Sequence, residues 1–101
     1  MKKTTSFQAY LNHWSKEVRQ RDENKCVICG KDKYVQAHHI LPKKFFRNFA
    51  LEIDNGISLC PAHHCFGKYS AHMNSVWFSE WLKNNRPEQY YIALERLKED
   101  C

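Results

Sequence analysis

Apolar residues recur at helical spacing near the start of the chain. Phe7, Tyr10, Leu11, Trp14 and Val18 form one stripe, and Lys16, Arg19 and Arg21 fall on the outer face. This 3.6-residue period predicts an amphipathic helix over residues 6–22, capped by Thr5 or Ser6, whose stripe is a core face. The pattern then shortens. Tyr34-Val-Gln-Ala-His-His-Ile40 and Gly56-Ile-Ser-Leu-Cys60 read as two short strands, the first ended by Pro42. Residues 42–54 keep neither period and are expected to form a long loop, with Phe45 and Phe46 buried beneath it. Pro61 suits a first helical position, and Gly67 would stop the short helix near Phe66. Two further apolar runs, Val76, Trp77, Phe78, Trp81 and Leu82, then Tyr90, Tyr91, Leu94 and Leu97, predict C-terminal helices within residues 73–99.

The expected architecture is α+β, a small ββα centre with helices around it. At 101 residues the chain is read as one domain, 1–101. A composition of 43 % apolar and 27 % charged residues excludes a disordered or low-complexity chain. No run approaches the ~18 apolar residues that suggest a membrane span. Met1-Lys2-Lys3 leads into polar Thr4-Thr5-Ser6 rather than a secretory signal, so a cytoplasmic protein is expected. The net charge of +5 is concentrated in residues 1–50, which hold 11 Lys or Arg against 4 Asp or Glu. Such a basic half suits an anionic partner, nucleic acid being the commonest.

Five cysteines without an export signal argue against a complete disulfide framework. Cys26-x2-Cys29 and Cys60-x2-His63 instead give two chelating pairs, each spaced by two residues. A tetrahedral zinc would tie the two segments together. A redox pair at Cys26 and Cys29 would lack the surrounding βαβ pattern and leave the second pair unexplained. Cys65 is the alternative fourth ligand.

Four of the six histidines form adjacent pairs, His38-His39 and His63-His64. Neighbours on a strand point to opposite faces, so His38 and His39 suit different tasks, one as metal ligand and one as base.

The ordered set Cys26-x2-Cys29, Ala37-His38-His39-Ile40, Asp54-Asn55-Gly56, Leu59-Cys60 and His63-His64 resembles the HNH endonucleases of the zinc-knuckle type. The resemblance covers about residues 26–68, with 16 residues from His39 to Asn55 and 9 from Asn55 to His64. Ser70-Ala71-His72, Trp77-Phe78 and Trp81-Leu82 are similar to small phage and prophage members. The resemblance implies a ββα-metal core that cuts phosphodiester bonds in DNA with one divalent ion. A monomer would nick, and a symmetric pair would break both strands. No stretch reads as a base-reading recognition helix, so little sequence specificity is expected. By motif position, His39 would be the general base, and His38 and His64 would hold the catalytic ion. Asn55 would pin the long loop so as to orient His39.

Two departures from the common pattern stand out: an imidazole, His63, in the fourth zinc position, and His38 in a place often held by a carboxylate. Imidazole ligands favour Mn²⁺, Ni²⁺, Co²⁺ or Zn²⁺ over Mg²⁺, although phosphates and water leave Mg²⁺ workable. His72 is either a further ligand of that ion, a phosphate contact or a helix cap, and His13 is read as structural or solvated. Lys43, Lys44, Arg47 and Lys68 are the expected phosphate contacts. The rival reading is a non-catalytic zinc-stapled DNA-binding module or an accessory subunit of a phage packaging or restriction assembly. A homodimer is a further partner left open, and the terminal Cys101 has no assigned role.

Overall fold

The computed structural model describes residues 6–100; Cys101 and the alternative cap Thr5 lie outside them. Helix α1 spans Phe7–Arg21, strand β1 Gln36–His39 and strand β2 Gly56–Leu59. A π-helical turn covers Ala62–Phe66, and helices α2, Ser75–Asn85, and α3, Pro87–Asp100, complete the chain. The strands pair antiparallel with Ala37 opposite Ser58, His38 opposite Ile57 and His39 opposite Gly56. The structure is α+β, with a two-stranded sheet, helices around it and a Cys/His cluster suited to a zinc knuckle.

Ser6 begins α1 by accepting the Ala9 N–H at 3.2 Å, as its side chain predicts. The buried face of α1 is narrower than expected. Leu11, Trp14 and Val18 are buried, whereas Tyr10 is 53 % exposed. A two-stranded sheet offers so slim a seat that only the i, i+3, i+7 row reaches it. That seat is close. A Cβ on Gly56 would lie 2.5 Å from both Trp14 Cζ2 and Val18 Cγ2, so only glycine lets β2 meet the helix here.

The opposite face of β2 carries the main core. Ile57 and Leu59 pack with Cys26, Cys60, Ala71, Phe78 and Leu82, flanked by Trp77, Trp81 and Tyr90. Burying each such large aliphatic side chain contributes about 1.5–3 kcal/mol. Asn74 caps α2 by accepting the Trp77 N–H at 3.1 Å, and Pro87 opens α3. Val76 and Tyr91, counted into the apolar runs, face outward instead.

An isolated strand pair is marginal in water. Here the free edge of β2 is sealed by other elements. The Asp22 carboxylate accepts the Ser58 N–H at 3.0 Å, and Val27 donates to the Ser58 carbonyl at 3.0 Å. Arg21 and Gln89 both donate to the Gly56 carbonyl at 2.8 Å. Asp22 also receives a forked pair of bonds from Arg21 at 2.9 and 2.7 Å and one from Arg86 at 3.1 Å. Arg21 is therefore a tie between α1 and the strand rather than a solvated outer-face charge.

The connection between the strands is less irregular than a loop. Phe45 and Phe46 both donate to the Pro42 carbonyl, and tight turns follow at Arg47–Phe49 and Ile53–Asn55. This reversal projects Phe45 outward, 71 % exposed, contrary to the expected burial; Phe46 is half-buried. Gly67 does end the helical turn, but with φ −81° it needs no left-handed conformation. Its requirement is space: a Cβ would sit 2.7 Å from the Ala62 carbonyl oxygen. Among the described residues, no helix is long and apolar enough to cross a membrane.

Candidate functional site

Two clusters of ligand-type side chains lie on either side of the π-helical turn's first residues. Cys26, Cys29, Cys60 and His63 bring their ligand atoms within 4.8 Å of one another. Cys60 Sγ is 3.4 Å and Cys26 Sγ 3.8 Å from His63 Nδ1, and the Cys29 and Cys60 sulfurs are 3.7 Å apart. A tetrahedral zinc with Zn–S about 2.3 Å and Zn–N about 2.0–2.1 Å separates its ligands by roughly 3.5–3.8 Å. The donor set therefore fits that ion. Cys65 lies outside the cluster.

Local backbone explains why the four converge. Gly30, at φ +80°, turns the chain back after Cys29, and its N–H bonds to the Cys26 carbonyl at 2.8 Å. The Val27–Ser58 bond then docks this knuckle on β2. Burial opposes ionisation of Cys26, but the N–H groups of Cys60, Cys29 and Ile28 outweigh it and hold the thiol below its ordinary range. Cys29 is pushed up, first by burial and then by the neighbouring Cys60 and Cys26 sulfurs.

The second cluster is His38, His64 and His72, again within 4.8 Å. Their ring centroids are 4.7–5.1 Å apart. His64 Nε2 and His72 Nε2 face each other at 3.1 Å, within the roughly 3.0–3.4 Å expected of two nitrogens on one ion. Backbone bonds from Ala71 to the His63 carbonyl and from His72 to the His64 carbonyl bring the third histidine back to the turn. His38 is driven down to about 3, first by burial and then by His64, His72 and His39. Burial, then His72, lowers His64 as well. Neutral imidazoles with free lone pairs are the state that binds metal. A divalent ion of the borderline kind fits this set, and no carboxylate belongs to it.

His39 points the other way from His38, onto α1. Its ring stacks flat on Trp14, 3.9 Å between centroids and 10° between planes, and the Trp14 indole is fixed by a 2.7 Å bond to the Glu52 carbonyl. His39 Nε2 lies 2.9 Å from the Ala50 carbonyl oxygen. A carbonyl only accepts, so Nε2 carries the proton and Nδ1 keeps a free lone pair. Burial lowers the basicity of His39, Lys43 lowers it further, and the Ala50 bond partly offsets both.

Asn55 is 5 % exposed and uses its amide in both directions. It accepts the Leu41 N–H at 2.8 Å and donates to the Leu41 and Phe49 carbonyls at 3.1 and 3.2 Å. These bonds close the inter-strand connection beside Ala50, the residue that holds His39.

His38, His39, His64 and His72 line one cleft of about 660 Å³ together with Lys43 and Lys44. A second, more polar cleft of about 410 Å³ runs between α1 and β1, where His39, His64 and Lys43 meet Gln8, Asn12 and Arg19. Arg47 is instead seated over the Phe7 ring at 3.9 Å, and Lys68 lies 5.3 Å from the Tyr69 ring. His13 is exposed, 3.5 Å from Glu17. The residues that sequence reasoning missed are Trp14 as the floor beneath His39, Gln36, whose Oε1 lies 2.9 Å from His64 Nδ1, and Gln89, which donates to the Gly56 carbonyl. The apolar stripe signalled that Trp14 is buried, but nothing in it named the partner.

The chain thus combines a two-stranded antiparallel sheet, a helical turn and two side-chain clusters that could each hold a metal ion, in an α+β fold. Residues 26–74 match the family model described as HNH endonuclease, a likeness that supports the HNH endonuclease family for this segment. That likeness suggests nuclease or DNA-binding activity, with DNA as the implied substrate. Comparison with curated proteins and with solved structures returns no match.

Proposed function

We propose that the chain is a metal-dependent DNA endonuclease in which His39 is the general base. The observation that carries this reading is the setting of His39. Its ring is clamped by Trp14 and the Ala50 carbonyl, with Nδ1 unprotonated, on the strand residue next to His38 and in the same cleft as the three-imidazole cluster.

Hydrolysis needs a water proton removed as its oxygen attacks phosphorus, while the P–O bond to the leaving oxygen breaks. His39 Nδ1 takes that proton, and its depressed basicity keeps it unprotonated at neutral pH. The leaving oxygen is reprotonated from solvent. A divalent ion held by His38, His64 and His72 would supply positive charge against the non-bridging and leaving oxygens. Lys43 and Lys44 neutralise neighbouring phosphates, and Asn55 keeps Ala50 in place to orient the base. Cys26, Cys29, Cys60 and His63 would hold a structural zinc, apart from the chemistry. DNA strands are contacted through phosphate, so little sequence preference is expected.

The test is cleavage of supercoiled plasmid by zinc-loaded protein with EDTA, Mg²⁺, Mn²⁺, Ni²⁺ or Co²⁺, beside His39→Ala. Relaxed or linear product that requires an added ion and disappears in the folded variant supports the reading. Retardation of DNA without cleavage under every ion would replace it with a non-catalytic binding module.

A further inference from the structure

We infer that Gln36 is the positioning residue of the three-histidine cluster, setting which nitrogen of His64 is offered to a metal ion. The inference rests on the reading that His38, His64 and His72 hold an ion, and concerns a residue which that reading does not use.

Gln36 opens β1, two residues before His38, so the two side chains project from the same face of the strand. Its Oε1 lies 2.9 Å from His64 Nδ1, across 28 residues of sequence. An amide oxygen has no proton to give, so His64 Nδ1 is the donor and carries the N–H. The lone pair is then on Nε2, the atom facing His72 Nε2 at 3.1 Å. In the opposite tautomer a proton would occupy the position where the two nitrogens converge, and His64 could not ligate there. Metal-bound histidines characteristically donate their second N–H to an oxygen acceptor, which fixes ring and tautomer together. In this chain the acceptor is neutral and comes from the strand that also supplies His38. It therefore ties the position of one ligand to the strand bearing another.

Gln36 is exposed and outside the core, so substitution there is separable from folding. The probe is Ni²⁺, titrated calorimetrically into the zinc-loaded full chain, with the imidazole tautomer of His64 read from long-range ¹⁵N–¹H spectra. Native protein is expected to show His64 protonated on Nδ1. Gln36→Leu should keep its zinc and helical content, lose the single tautomer and weaken Ni²⁺ by about 10–100-fold. Gln36→Glu restores an acceptor and should recover most of the affinity. Ni²⁺ binding by Gln36→Leu as tight as native, or a native His64 protonated on Nε2, would overturn the assignment of Gln36. Failure of native protein to bind Ni²⁺ more tightly than His64→Ala would overturn the metal-site reading itself. Binding that follows the Gln36 series without any DNA cleavage would leave this inference standing and remove the nuclease reading.

Discussion

The two ligand clusters share one helical turn, His63 in one and His64 in the other, yet they are built to opposite ends. Cys26, Cys29, Cys60 and His63 offer four protein atoms, three of them sulfur, and Cys26 and Cys60 are buried in the main core. Such a set completes a tetrahedral ion and leaves no position for a reactant. His38, His64 and His72 offer three nitrogens and open on a cleft. Three protein ligands leave room for water or phosphate. On the proposed function, adjacent residues would divide the work of holding the fold and meeting a substrate.

The largest effect expected from this contrast is on folding. Cys26→Ser should abolish cooperative thermal unfolding followed by circular dichroism, because structural zinc contributes roughly 10–16 kcal/mol in zinc-finger peptides. That is as large as the whole stability of a typical domain, about 5–15 kcal/mol. A native-like melt in this variant would deny the closed cluster its structural role. The open side should respond differently. His39→Ala leaves the buried Ala50 carbonyl without its partner, so a loss of about 1–3 kcal/mol of stability is expected. The variant should stay folded with its zinc and DNA affinity, while the cleavage rate falls about 10²–10⁴-fold. Equal loss of DNA binding would show that His39 grips substrate rather than activating water.

The local pattern made some of this legible. Cys26-x2-Cys29 and Cys60-x2-His63 encode their own bite, and the alternation of a strand sends His38 and His39 to opposite faces. The amide of Asn55 advertised a clamp that donates and accepts. What stayed hidden depends on how distant segments dock. Trp14 meets His39 only because α1 lies against the glycine at position 56, and Arg86 reaches Asp22 across 64 residues. Tyr10 and Phe45 carry apolar character that favours burial, but the narrow sheet and the turn at Pro42 leave them outside. Periodicity shows which residues could be buried and is silent on how wide a surface awaits them.

Smaller changes sharpen the contrast by disturbing the frame of His39 while sparing the zinc. Asn55→Ala strands the Leu41 and Phe49 backbone groups, and each unsatisfied buried group costs about 1–3 kcal/mol. Urea denaturation should show that loss with one zinc still bound. Gly56→Ala pushes a methyl into Trp14 and Val18, and overpacking of this kind costs about 1–3 kcal/mol. It should also shift the His39 ring proton resonances, since Trp14 forms the floor of that stack. Unchanged resonances would show that the stack does not depend on this close approach.

The smallest expected effect concerns acid. Burial opposes the Asp22 charge, but bonds from Arg21, Arg86 and the Ser58 N–H outweigh it and hold the carboxyl below its ordinary value. A group depressed in the folded state contributes stability above its unfolded pKa, about 4, and loses it as pH falls through the folded value. Asp22→Asn should therefore be less stable than native at pH 6, with the gap closing below about pH 4. A gap independent of pH would indicate that packing rather than charge seals the edge of β2.

The division between closed and open sites is tested most directly by X-ray absorption on protein loaded with one zinc and one nickel. At the zinc edge, three sulfurs at about 2.3 Å and one nitrogen at about 2.0–2.1 Å are expected, unchanged by a DNA oligonucleotide. At the nickel edge, imidazole nitrogens with additional light-atom ligands and no sulfur are expected, with a spectrum that changes when the oligonucleotide is added. Sulfur around nickel, or a zinc shell that responds to DNA while nickel does not, would contradict that division.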